Sequence, residues 1–321
     1  MAKDNYTKAK HIRTSNKCLC EDFLFKCENS KRHNTAKNHL ISKRGYLERI
    51  AFGENVLVFD FENRDYKKNA RKLTKRTIAN ANKFRVFCSK HDNYLFGEIE
   101  NGNNFDENNK KQIFQFSFRA FVFSYSEGLL KNNREFDKIV DDFSNKVANA
   151  HLQMNKKRFK NYKNLIDQED WSGVETEIIR LNRKCEFITC WSGTPNMGLL
   201  FPIAFTNCNI SINIFPENNE TIILLSYLKD DFSFGSRNFC RRLKNLSKSN
   251  EKKFIAYIEK FVVAFDHNIA LNPMFWSTCS ESDQKTFYEI AHMFPTNKTM
   301  ITGLGRFFKL RIKKLKLELI H

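Results

Sequence analysis

The stretch Ile210-Ser211-Ile212-Asn213-Ile214-Phe215-Pro216-Glu217-Asn218-Asn219-Glu220-Thr221-Ile222-Ile223-Leu224-Leu225-Ser226-Tyr227 decides the fold class. Two β-rich runs, Ile210 to Phe215 and Thr221 to Tyr227, flank a Pro/Asn cluster, which predicts a β-hairpin. Segments of the same texture, Glu186 to Trp191 and Leu199 to Phe205, precede it. Phe239 to Leu246 and Lys252 to Phe265 follow as helices, the second with Phe254, Ile258, Phe261, Val262 and Phe265 on one face. Residues 166–321 are therefore expected to form a mixed α+β domain. Upstream, Phe114, Phe118, Phe121, Val122 and Tyr125 recur at helical spacing, as do Phe136, Ile139, Val140, Phe143 and Val147, so 106–165 is predicted to be a helical hairpin. Asn101-Gly102-Asn103-Asn104 marks a boundary before it. Residues 18–105 mix short apolar pieces, among them the strand Val56-Leu57-Val58-Phe59, with basic stretches, and 1–17 read as a mobile basic arm. No repeat of solenoid length is present.

The composition fits such a fold. The 321 residues are 41% hydrophobic and 28% charged, with 32 Phe against 11 Gly and 5 Pro, which excludes collagen-like, low-complexity and wholly disordered classes. The formal charge of +18 favours an acidic partner and a strong salt dependence. Residues 1–100 carry 22 basic and 12 acidic side chains, so the excess gathers at the front, although a generally Lys-rich soluble protein would show a similar bias. No long uncharged apolar run or apolar signal core occurs, and a cytoplasmic protein is expected. Nine Cys is an odd number, which favours free thiols or metal ligation over a disulfide framework.

Four of those Cys, Cys18, Cys20, Cys27 and Cys88, lie within the first 90 residues, and Cys88-Ser89-Lys90-His91 is a C-x-x-H pair. Such spacing lets a thiolate and an imidazole at a turn or helix start converge on one tetrahedral ion, and the mixed donor set suits zinc. The expected ligands are Cys20, Cys27, Cys88 and His91, with Cys18 able to substitute for Cys20; buried thiols beside an exposed His are the alternative.

Between the two halves lie His39 and then Lys43-Arg44. The order of ligand pair, His, basic stretch and ligand pair resembles the treble-clef arrangement of HNH-type nucleases over residues 18–100. That resemblance implies His39 as general base for water attacking a phosphodiester. It also implies a second divalent cation such as Mg, for which Asp92, Glu98 and Glu100 are candidate carboxylates. Asp92 beside a ligand His can instead orient the imidazole, and His39 can be a packed residue. Lys43, Arg44, Lys67, Lys68, Arg71 and Lys72 are the expected nucleic-acid contacts. The early Cys pair, the His, Phe87-Cys88 with His91-Asp92, and Ile99-Glu100 are also similar to a family of uncharacterised bacterial proteins. Weaker likeness continues around Pro216 and through Asn272 to Trp276. Some members of that family sit among phage-defence genes.

Other motifs carry less. Trp191-Ser192-Gly193-Thr194 lacks a G-x-S-x-G context, Gly303-Leu304-Gly305 is too short for a dinucleotide loop, and no phosphate-binding G-x-x-x-x-G-K-[ST] exists. Cys185, Cys190, Cys208, Cys240 and Cys279 read as buried apolar residues, His267 and His292 as structural, and His33 as part of a solvated basic face. Arg306 to Leu319 holds six Lys/Arg with Phe308, Ile312, Leu315 and Leu319 at helical spacing. The expectation is a zinc-containing nucleic-acid-binding protein, an HNH-like nuclease acting in bacterial defence. The competing expectation is a non-catalytic zinc-stapled binder or sensor recognising a protein or nucleic acid, with the C-terminal domain as a protein-docking unit.

Overall fold

A computed structural model describes residues 18–20, 27, 38–59, 72–84, 86–132, 142–194, 208–229, 234–265, 268–291 and 318–320. The predicted 1–17 arm, the Phe136 to Val140 part of the helical stripe, the Leu199 to Phe205 strand, Lys67, Lys68, Arg71, His33, His267, His292, Gly303 to Gly305 and the basic run Arg306 to Lys316 lie outside these residues. In chain order the elements are β1 (Asn38–His39), a short helix α1 that is π-type over Lys43–Leu47 and α-type over Glu48–Ile50, β2 (Asn55–Phe59), β3 (Leu73–Thr77) and β4 (Lys83–Phe84). Three helices follow, α2 (Ser89–Glu100), α3 (Lys110–Asn132) and α4 (Asp142–Asp167). The rest comprises β5 (Val174–Leu181), β6 (Phe187–Gly193), β7 (Ile210–Glu217), β8 (Glu220–Leu228), α5 (Phe234–Ser249), α6 (Glu251–Phe265), β9 (Ala270–Leu271), α7 (Pro273–Thr278) and α8 (Glu281–Ala291). The class is mixed α+β, as expected.

The predicted hairpin is present and central. β7 and β8 pair antiparallel from Ser211↔Ser226 to Glu217↔Glu220. The turn is Asn218-Asn219, where Asn218 takes a left-handed φ of 54° that its short polar side chain tolerates. Pro216, which cannot donate to a ladder, lies beyond the last residue paired with β6, Ile214. Its carbonyl accepts instead from Arg49 Nη1 at 2.9 Å.

Around this hairpin, the described strands form a seven-stranded antiparallel sheet in the order β3-β2-β9-β6-β7-β8-β5. β2 and β3 come from the region expected to stand apart as 18–105, yet Val58 pairs with Ala270 of β9. A break at residue 105 therefore does not coincide with a break in the sheet. The physical reason is that Val56 and Val58 face one core while Leu57 and Phe59 face the other, so β2 needs cover on both faces.

The same alternation runs through the sheet and separates two cores. Ile212, Ile214, Ile223, Leu225 and Phe187 pack against α5, α6 and α8 through Phe239, Phe261 and Phe287. Phe215, Ile222, Leu224 and Cys190 face α3. Cys185, Cys190, Cys208 and Cys240 are buried as expected, whereas Cys279 is half-buried.

α3 is the central helix. Residues 114–123 are buried without interruption, so the predicted stripe covers only part of its apolar circumference. Phe116 stacks on Phe215 with centroids 5.0 Å apart, and Ser211 and Asn213 donate to the Ser117 and Phe116 carbonyls. On another side α4 packs antiparallel to α3, pairing Phe114 with Tyr162 and Tyr125 with Phe159, through residues that lie beyond the predicted Phe136 to Val147 stripe. On a third side α2 contributes Phe96, stacked on Phe118 at 5.9 Å.

Phe118 joins these three helices and is fully buried. Truncating it leaves a cavity among rings that cannot all collapse inward, so Phe118→Ala should cost about 3–5 kcal/mol in chemical denaturation. The exposed Asn164→Ala should change stability by less than about 0.5 kcal/mol.

Glu259 of α6 holds the end of the described chain. Its buried carboxyl accepts from Ile320 N at 2.9 Å, and Glu186 N donates to Leu319 O. Burial pushes this carboxyl up to about 8 against the two backbone donors of Ile320 and Leu319, so the neutral form is the one folding favours. Its contribution is full below the unfolded value near 4.5 and is lost as pH rises through about 8. Denaturation midpoints should therefore fall between about pH 5 and about pH 9, and Glu259→Gln should narrow that difference.

Candidate metal centre

Cys88 sits at the N-cap of α2 with extended backbone (φ −72°, ψ 160°), and His91 lies in the first turn three residues on. That spacing places Cys88 Sγ 3.1 Å from His91 Nδ1. The strand end leading into Cys88 is fixed by Asn38 of β1, whose side-chain carbonyl accepts from Val86 N at 3.4 Å and Phe87 N at 3.2 Å. The turn at residues 18–20 docks on the same segment, with Leu19 N donating to Val86 O at 3.0 Å and Cys88 N to Cys18 Sγ at 3.3 Å.

Cys18, Cys27, Cys88 and His91 present three sulfurs and one ring nitrogen that all lie within 4.8 Å of one another. Cys27 Sγ is 3.6 Å from Cys88 Sγ and 3.4 Å from His91 Nδ1, and Cys18 Sγ is 3.5 Å from the same nitrogen. A tetrahedral zinc with ordinary Zn–S and Zn–N bonds sets edges of about 3.8 Å for S···S and about 3.6 Å for S···N. The donor set thus has the size and chemistry of a metal site.

Cys18 takes the place expected for Cys20. Cys20 is fully buried, its side chain turned into the apolar core, and its thiol hydrogen-bonds Cys18. The close ligand group among the described residues therefore contains Cys18 and not Cys20. The hydrogen bond from Cys20 holds the Cys18 thiol down at about 5, while burial pushes Cys27 up to about 12 and Cys20 well above the usual thiol range. A lone thiolate is therefore tolerated without a cation; several are not, and a divalent ion reverses that balance.

The residues expected to act catalytically gather around one side of α2. His39, at the end of β1, is half-buried and shares a 3.2 Å hydrogen bond between Nδ1 and the Ala81 carbonyl. Burial, then the nearby Lys83, lowers it to about 4, with Glu100 and Arg119 also within electrostatic reach. Asp92 is buried, hydrogen-bonded by Asn38, and raised to about 6 by desolvation against the pull of Arg119. Glu100 forms an ion pair with Arg119 of α3, whose guanidinium lies 4.3 Å from the Phe96 ring centre. Asp92, Phe96 and Glu100 follow at four-residue spacing, one face of the helix turned to Arg119. Arg119, the lone charge inside the buried run 114–123, was not singled out as functional, although that isolation is visible in the sequence.

His39, Asp92 and Glu100 do not form a second close ligand group among the described residues. Asp92 is held by Asn38 and Glu100 by Arg119, so the two carboxylates do not fit the second cation that was expected. Of the expected nucleic-acid contacts, Lys72 is described and exposed; Lys43 and Arg44 lie on α1 with side chains outside the described set. No helix among the described residues is long and apolar enough to cross a membrane.

No protein-family model matches the chain, and no curated protein or solved structure matches it either.

Replacing one ligand at a time tests the assignment. Elemental analysis should find about one metal ion per chain in the parent and in Cys20→Ala, and well under half of that in Cys18→Ala or Cys88→Ser. Retention in Cys18→Ala with loss in Cys20→Ala would restore Cys20 as the ligand.

Proposed function

We propose that this chain is a zinc-stapled nucleic-acid-binding protein. The observation that carries the reading is the convergence of Cys18, Cys27, Cys88 and His91 at the start of α2, with near-tetrahedral spacing and no fifth ligand in the group among the described residues. Four protein donors leave no open position, which is the signature of a structural rather than a catalytic zinc. Bound there, zinc would supply a cross-link between the 18–20 turn, residue 27 and α2. The net charge of +18 supports a polyanionic partner.

The sharper form of the proposal is HNH-like phosphodiester hydrolysis. A two-stranded ladder, β1 with β4, followed by a helix bearing ligands at its start supports a treble-clef-like arrangement. His39 on that ladder is neutral near pH 7, and with Nδ1–H donated to Ala81 it would offer Nε2 to the proton of an attacking water. Two observations favour the non-catalytic reading instead. A base lowered to about 4 is weak, and Glu100 is committed to Arg119.

The two forms separate at His39. If the protein is a nuclease, His39→Ala keeps its zinc and its fold and loses cleavage of a labelled oligonucleotide by about 10²-fold or more. A zinc-loaded parent that binds the oligonucleotide without cutting it establishes the binder. A parent that binds no nucleic acid contradicts both.

A further inference from the structure

Helix α4 carries no Asp or Glu between Asp142 and Asp167, but it carries six Lys/Arg. Leu152, Arg158, Tyr162 and Ile166 are buried against the rest of the fold. At about 100° per residue, Gln153, Lys156, Lys157, Lys160 and Asn164 fall within an arc of about 100° on the opposite side. All five are exposed.

A basic helix face is commonly just a solvated surface, and α5 shows what that looks like in this protein. It also lacks acidic residues, but three of its five cations are paired across the sheet edge. Arg237 pairs with Glu175, and Lys244 and Arg241 pair with Glu177 of β5. Among the described residues, no carboxylate lies within ion-pair distance of Lys156, Lys157 or Lys160. The charge of Lys156, Lys157 and Lys160 is therefore uncompensated among the described residues, and acidic side chains return at Asp167 and Glu169. Its neighbours on the arc are amides, which donate and accept hydrogen bonds.

The face lies on the same side of the sheet as the metal centre. Phe159, next to Lys160, is 6.5 Å from Phe118, which is 6.5 Å from Phe87, the residue before Cys88. An anionic membrane would call for large apolar side chains beside the lysines, and among the described side chains on this arc there is none. A phosphodiester chain needs only regularly placed cations and amides.

We propose that the outward face of α4, Lys156, Lys157 and Lys160 with Gln153 and Asn164, grips the phosphate backbone of a nucleic acid. This rests on the nucleic-acid reading above and assigns it to a surface that the N-terminal lysines do not include. The contacts are to phosphates, so they carry no base preference.

The test uses the full chain and a fluorescent mixed-sequence single-stranded oligonucleotide titrated over a range of salt. A Lys156→Glu/Lys157→Glu/Lys160→Glu protein is compared with a Lys248→Glu/Lys252→Glu/Lys253→Glu protein, whose exposed lysines lie on α5 and α6 across the sheet. The expected result is an affinity loss of at least about 10-fold in the α4 variant, with a log–log salt slope about 2 units shallower for three lost contacts. The α5/α6 variant should stay much closer to the parent. Equal losses in the two variants would overturn the assignment to α4 while leaving nucleic-acid binding standing. A parent that binds phosphatidylserine vesicles but no oligonucleotide overturns both.

Discussion

Helix α3 carries large apolar side chains around most of its circumference, and the layers of the molecule follow from the need to cover it. A helix of that kind is stable in water only when neighbours close every side. The sheet closes one through Phe215, α4 closes another through Phe159 and Tyr162, and α2 closes a third through Phe96. Fully burying one Phe-sized side chain contributes roughly 1.5–3 kcal/mol, so the cover supplied by each layer is a large share of a marginal total. α2 is a short helix, and its placement depends on how its ends are fastened. Arg119 fastens the C-terminal end through Glu100, and the Cys/His cluster gathers at the N-terminal end.

This links the metal centre to the fold. A cation shared with Cys88 and His91 would tie the turn at Cys18 and residue Cys27 to α2, adding to the packing of Leu19 and Cys20 on the core. The same tie would set Asn38 and the β1–β4 ladder, and with them the position of His39. Any chemistry at His39 and any grip at α4 would then lie on elements that pack on one core on one side of the sheet.

Much of this was legible in the sequence because periodicity and spacing are local. The Pro216 hairpin, the strand at Val56, the two helices on either side of residue 250 and the C-x-x-H pair all appear where pattern placed them. What was not legible depends on cover from elsewhere. Val174–Leu181 has mixed polarity because it is an edge strand, and its Glu175 and Glu177 answer the cations of α5. Ser211 and Asn213 alternate with Ile as though one face met solvent, yet they donate to carbonyls of α3. Cys18 and Cys20 are equivalent by spacing; only the docking of Leu19 on Val86 decides which sulfur faces the centre. Glu100 reads as a free carboxylate until Arg119 is placed beside it.

The proposed zinc site gathers three thiols and one imidazole, with Cys18 among them, at the start of α2. X-ray absorption at the zinc K-edge on protein purified without added metal tests it most directly. The account predicts about one zinc per chain with a first shell of about three sulfurs near 2.3 Å and about one nitrogen near 2.0 Å. A shell dominated by oxygen and nitrogen, or a folded protein with no stoichiometric metal, would contradict it.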